Sequence, residues 1–328
     1  MKKYKNKPTV LNIVISVISI FLALFFLNQC RLSNTLWQKL LFGILFGLVN
    51  NTIFSLLHES VHGSFSKNRT INDWFGRITA AFFPTSFTLQ QIFHLGHHKR
   101  NRTDAELFDQ YYDGDNKLIK KFVIYSLLIG LYWPSSPLAN LVFLFCPWLF
   151  NIKNLRKNDL MKKASFDQML SGLDKKNAPH FKIRLEIIFS ICIQALIIYL
   201  LKIDFSTWFI CYWSFALLWS SLQYTDHAWS IRDIRTGAWN LKVSRITHII
   251  WLNYHYHLNH HRSPSTSWLY LPYLTEKNDQ NPSFWKIYFK LWKGPTKVDQ
   301  KNPECSIELE NEIFSGTSIQ EYRNSPSN

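Results

Sequence analysis

Cysteine is scarce. The five present, Cys30, Cys146, Cys192, Cys211 and Cys305, are scattered and form no Cys-x-x-Cys pair, which argues against a disulfide framework and against a cysteine-ligated metal. Acidic residues are few as well, 22 against 37 basic ones. More telling is where charge is missing altogether. Residues 9–29 contain none, and a charge-free apolar run of that length matches the roughly 20 residues that span a hydrocarbon core. Further apolar runs cover residues 40–57, 185–201 and 208–222, with Glu186 the only charge among them. At 328 residues the chain could hold two soluble domains. Gathering the apolar residues into blocks points instead to a bilayer.

The first run follows Lys2, Lys3, Lys5 and Lys7, as a signal peptide would, but it is too long for a typical apolar signal region and no small-residue cleavage site follows. It is expected to remain as a span. With four spans and a cytoplasmic N-terminus, only Arg31, Lys39 and Lys202 of the basic residues face outward. This positive-inside distribution accounts for the net charge of +15 without a nucleic-acid partner. The expected architecture is all-α: four transmembrane helices in two tight hairpins, interfacial helices, and a cytoplasmic cap rich in histidine.

Residues 121–150 are apolar but interrupted by Pro134, Pro137 and Pro147, and must start and finish on the cytoplasmic side, so a re-entrant or interfacial helix pair is expected. Residues 74–93, broken by Pro84, are expected on the membrane surface, and residues 151–182 as a basic polar loop. The membrane domain should occupy residues 1–295. Residues 296–328 are polar and are expected to lack fixed structure.

Chemistry enters with the twelve histidines. His58-Glu59-Ser60-Val61-His62 places two imidazoles at i and i+4, on one face of a helix. His94-Leu95-Gly96-His97-His98 and His257-Leu258-Asn259-His260-His261 each give i, i+3 and i+4, so each triple is expected to converge on one side of its helix. Imidazole suits iron, copper, nickel and zinc. Taken singly, each box could be ordinary surface histidine; three boxes on one side of a membrane point to a metal site, because ionisable clusters there are costly and usually functional. The eight imidazoles exceed what one tetrahedral zinc can use, so two metal ions are the economical reading. The first box also matches the zinc-protease signature His-Glu-x-x-His, with His58 and His62 as ligands and Glu59 as base. Such a protease would have no use for six further clustered histidines.

The three boxes, in this order and following apolar hairpins, resemble those of the membrane fatty acid desaturase superfamily, which also contains hydroxylases and carotenoid oxygenases. The resemblance covers about residues 9–275. It implies cytoplasmic boxes holding two iron ions, dioxygen as co-substrate, and oxidation of a lipid hydrocarbon chain: fatty acyl desaturation first, lipid or carotenoid hydroxylation or ketolation as the alternative. The stretch Gln223-Tyr224-Thr225-Asp226-His227 is similar to the Asn-Ser-x-x-His element of acyl-CoA desaturases. This similarity implies His227 as a ninth ligand and puts Gln223 where that family has asparagine.

Ligating histidines usually donate their other ring N–H to a carboxylate or carbonyl. Asp104 and Asp109, just after the second box, Asp226 beside His227, and Glu59 between two ligands are the candidates for that role. His248 and His255 fall on the far side from the third box, and nothing is assigned to His180. No His-Pro-Gly-Gly haem motif occurs, so electrons are expected from a separate donor of ferredoxin, rubredoxin or cytochrome type. The basic cytoplasmic face could steer an acidic donor, although topology alone explains those charges.

Overall fold

The structure, a computed structural model, describes residues 6–150, 168, 170–174 and 178–320. Most of the expected loop at residues 151–182 therefore lies outside the described residues. Two long helices open the chain, α1 (Thr9–Leu32) and α2 (Leu36–Val61), packed against one another as a hairpin. Thr35 starts α2 with a capping box: its hydroxyl accepts from Gln38 N, and its own N–H donates to the Gln38 side chain. Helix α1 buries Asn12, Ser16, Ser19, Ala23, Leu27 and Cys30, a stripe of mostly small residues spaced three and four apart. Its other face exposes Val10, Val14, Val17, Ile18, Phe21 and Phe25. Small residues towards the partner helix and large apolar ones outward is the arrangement of helices solvated by lipid, where close backbone approach rather than water exclusion drives packing.

After α3 (Arg69–Phe82) and α4 (Phe87–Arg100), two shorter helices, α5 (Lys117–Leu128) and α6 (Tyr132–Phe145), are bent by 96° at their junction. This matches the broken apolar segment expected at residues 121–150. Helices α7 (His180–Leu201) and α8 (Phe205–Thr225) follow, joined by a three-residue turn. Helix α8 packs chiefly along α2 rather than along α7. Gly47 is what permits this: a Cβ there would stand 2.9 Å from the Phe215 backbone nitrogen.

Helices α1, α2 and α7 are long and apolar enough to cross a membrane, and the bent α5–α6 pair could count as a fourth. The chain is an integral membrane protein. Helix α8, expected as the fourth span at residues 208–222, does not reach the same hydropathy, because its 21 residues include Ser206, Thr207, Ser214, Ser220, Ser221, Gln223 and Thr225. Much of it is buried by protein.

Glu186, the one charge in the third apolar run, has a structural role. Its carboxylate accepts from Ser86 Oγ at 2.8 Å, Thr88 N at 2.8 Å and Arg77 Nε at 3.0 Å. It thereby satisfies one open backbone donor at the N-terminus of α4, that of Thr88, where negative charge is favoured. The other elements include a 3-10 turn (Asp104–Glu106) just after α4, α9 (Arg245–Ile250), α10 (His257–Arg262), a 3-10 segment (Trp268–Leu274), α11 (Phe284–Leu291), and a parallel pairing of β1 (Gln110–Tyr111) with β2 (Thr296–Lys297). Beyond residue 295, where composition suggested no fixed structure, α12 (Ile307–Phe314) packs on α4, with Ile313 buried and Lys99 paired to Glu310 at 2.8 Å.

Candidate metal centre

The histidines lie at helix ends that meet. His58 and His62 close α2, His94, His97 and His98 lie in the last two turns of α4, His257, His260 and His261 make up half of the short α10, and His227 follows α8. Their nitrogens sort into two groups, and within each group the nitrogens lie within 4.8 Å of one another. One group contains His58, His62, His94, His98 and His260; the other contains His97, His227, His257 and His261. Each triple is divided rather than aimed at one point. The i, i+4 pair His94 and His98 joins the first group while His97 turns to the second; the pair His257 and His261 joins the second while His260 turns to the first. A quarter-turn offset between adjacent helical positions produces this split.

Several ring nitrogens face each other at close range. Nε2 of His98 is 3.1 Å from Nε2 of His94 and 2.9 Å from Nε2 of His260. Nε2 of His227 is 3.1 Å from that of His97 and 3.0 Å from that of His257. Among the described residues, Nε2 of His58, His62 and His261 is buried without a hydrogen-bond partner. Burial, and then the crowding of neighbouring imidazoles, lowers the basicity of His62, His94, His98, His257, His260 and His261 well below the usual imidazole range. Burial, and then His97, does the same to His227. Neutral imidazoles with inward lone pairs are what a cation requires, so this donor set fits metal.

Outer contacts fix which nitrogen points inward. His227 Nδ1 donates to the Gly237 carbonyl at 2.9 Å, leaving Nε2 as the lone-pair nitrogen. Gly237 must be glycine, since a Cβ there would stand 2.2 Å from the Asp233 carbonyl oxygen. Asn101 Nδ2 braces the same loop through the carbonyls of Ile234 at 3.0 Å and Gly237 at 3.1 Å. His97 Nδ1 lies 2.5 Å from Glu106 Oε2, and Arg100 Nε donates to Glu106 Oε1 at 3.0 Å. Burial opposes ionisation of Glu106, but His97 and Arg100 outweigh it and hold the carboxyl below its ordinary value.

The carboxylates expected to orient imidazoles are mostly engaged elsewhere. Asp104 is half-exposed and binds Arg232 Nη2 at 2.7 Å. Asp109 is buried and accepts from Arg102 Nη1 at 2.7 Å, Tyr224 Oη at 2.5 Å and Trp229 N at 2.5 Å, so it anchors the backbone just after His227 and touches no imidazole. Glu59 Oε1 accepts from Trp268 N at 3.1 Å, and Glu59 bonds no imidazole among the described residues. His58, one residue before it, turns to the histidine group while Glu59 turns to the 3-10 segment, because successive helical residues point about 100° apart. Gln223 Oε1 accepts from Tyr254 Oη at 3.4 Å, and its Nε2 has no partner. Asp226 is fully buried beside the second group. His248 and His255 pair with each other, ring centroids 4.9 Å apart, outside both groups. His180 Nε2 contacts the Leu173 carbonyl at 2.8 Å. Glu106 is the residue sequence reasoning passed over, although it stands beside Asp104 in the acidic stretch after the second box.

The fatty acid desaturase family model matches residues 35–291, well over half of the chain and inclusive of all nine clustered histidines. No curated protein matches the chain.

Proposed function

Since the chain belongs to the fatty acid desaturase family, and is thus a membrane non-haem di-iron oxidoreductase that modifies lipid chains with oxygen, we propose that it desaturates a fatty acyl chain. The observation that carries this reading is the pair of adjoining histidine groups, five imidazoles in one and four in the other. In it, His58, His62, His94, His98 and His260 hold one iron and His97, His227, His257 and His261 the other. With dioxygen, two irons so held supply the oxidising power to remove hydrogen from an unactivated C–H bond.

The protein's own contribution is position and environment. Glu106 and the Gly237 carbonyl fix the rings of His97 and His227. An aromatic series leads away from the histidines: Tyr254 edges onto His58 at 4.9 Å, Phe54 onto Trp219 at 5.3 Å, Phe83 onto Trp219 at 4.7 Å, and Tyr132 stacks on Trp219 at 5.4 Å. Such a wall suits an acyl chain and excludes water from the reacting carbons. Four membrane crossings in two hairpins, α1 with α2 and α7 with α8, would place the N-terminus and both histidine groups on the cytoplasmic side, as the basic residues favour. Electrons come from a separate ferredoxin, rubredoxin or cytochrome-type donor.

Expression in a lipid-producing host, followed by mass spectrometry of extracted lipids, tests the reading. Acyl chains lighter by two hydrogens are expected. Acyl chains or carotenoids that gain oxygen would reassign the enzyme to hydroxylation or ketolation.

A further inference from the structure

The two histidine groups are unequal, and Asp226 adjoins the smaller one. The first group offers five imidazoles and the second four. Asp226 lies with none of its surface exposed, and among the described residues neither carboxylate oxygen has a hydrogen-bond partner. Its Oδ1 is 3.8 Å from His227 Nε2 and its Oδ2 is 3.6 Å from His257 Nε2. Both of those nitrogens belong to the second group and to its short contact at 3.0 Å. The backbone pins the residue in this pose, with the Asp226 carbonyl accepting from Trp239 N at 2.7 Å.

A buried carboxylate with no donor is costly and persists where a cation compensates it. The separations of 3.6 Å from Oδ2 to His257 and 3.8 Å from Oδ1 to His227 are within the span of two donors that share one ion, each bonded at about 2.1 Å, while Asp226 stands just outside the set of four whose nitrogens lie within 4.8 Å of one another. Of the other acids near the histidines, Glu106 is committed to His97 and Arg100, Asp109 to Arg102, Tyr224 and Trp229, and Glu59 through its Oε1 to Trp268 N, away from the second group. Gln223 is turned to Tyr254. Resting on the reading that both groups hold iron, we infer that Asp226 is the fifth donor of the second group, an oxygen ligand that makes the two irons chemically distinct. One ion is then surrounded by imidazole nitrogen alone, and the other by four imidazoles and a carboxylate that offsets part of its charge.

The test uses the full-length chain purified with its metal, iron analysis, and Mössbauer spectra of the reduced protein. Wild type is expected to hold two irons per chain and show two separate doublets. D226N is expected to lose the iron of the second group, keeping about one iron per chain after chelator treatment and only one doublet. D226H, which returns a nitrogen donor, is expected to hold both irons with one doublet shifted. Two irons and two unaltered doublets in D226N would overturn the assignment. If D226N does not accumulate in membranes, infrared difference spectra of wild type on iron loading decide, with E106Q identifying the Glu106 bands: a carboxylate band moving independently of Glu106 supports it, and no such band overturns it. A wild-type protein without iron would instead contradict the parent reading.

Discussion

His97 Nδ1 stands 2.5 Å from Glu106 Oε2, nine residues on, and this carboxylate is in turn held by Arg100 Nε at 3.0 Å. The helix that supplies the ring thus also supplies, through the 3-10 turn just beyond it, the acid that fixes the ring's orientation. E106Q should leave the fold intact and weaken metal binding to the second histidine group by about 10- to 100-fold, the usual effect of losing an outer partner of a ligating histidine. Competition with a chelator measures this.

His260 meets His98 at 2.9 Å across 162 residues of chain. H260A and H97A each remove one imidazole, from different groups. Both should abolish product formation while leaving the protein in the membrane fraction, as checked by lipid mass spectrometry and membrane fractionation. Retained activity in both variants would count heavily against the proposed ligands.

Gly47 lets α8 approach α2 closely, with Phe215 N at 2.9 Å from where a Cβ would sit. G47V should separate these helices, at a cost of about 1–3 kcal/mol typical of overpacking. Because α8 ends at the element bearing His227, iron content should fall together with the thermal unfolding temperature in detergent.

Acid should destabilise the metal-stripped protein through its neutral histidines. His62, His94, His98, His227, His257, His260 and His261 have folded-state basicity below the ordinary value, by burial first. The unfolded chain therefore binds more protons below about pH 6.5, so stability is present above that pH and is lost as pH falls. Glu106, also lowered, adds to the loss in acid. Asp226, raised by burial, acts in the opposite sense. Unfolding temperature is expected to climb between about pH 5 and pH 7 and then level off.

Much of this centre was legible because helical periodicity is strict. Residues at i, i+3 and i+4 must share a face, so the three boxes declared themselves, and the long apolar runs declared α1, α2 and α7. The same rule hid the partition: i+3 and i+4 lie on either side of i, and only the meetings of His260 with His98 and of His97 with His227 show that His97 and His260 change groups. His227 came from resemblance rather than from spacing. Glu106 was missed in favour of Asp104 and Asp109 because a 3-10 turn, not a helix, determines which of three nearby acids folds back. Helix α8 illustrates a different limit, since a helix buried by protein can carry serine and threonine that hydropathy penalises. The signal for α12 was available: Ser306 as N-cap, its hydroxyl accepting from Leu309 N at 3.2 Å, followed by Glu308 and Glu310 in the first turn.

The most direct test of the central claim is metal analysis of the purified wild-type chain combined with Mössbauer spectroscopy. Two histidine groups at one meeting of helix ends predict two irons per chain, lost together with lipid oxidation when the protein is stripped and restored together when iron is returned. A single zinc, no iron, and activity indifferent to iron would contradict it.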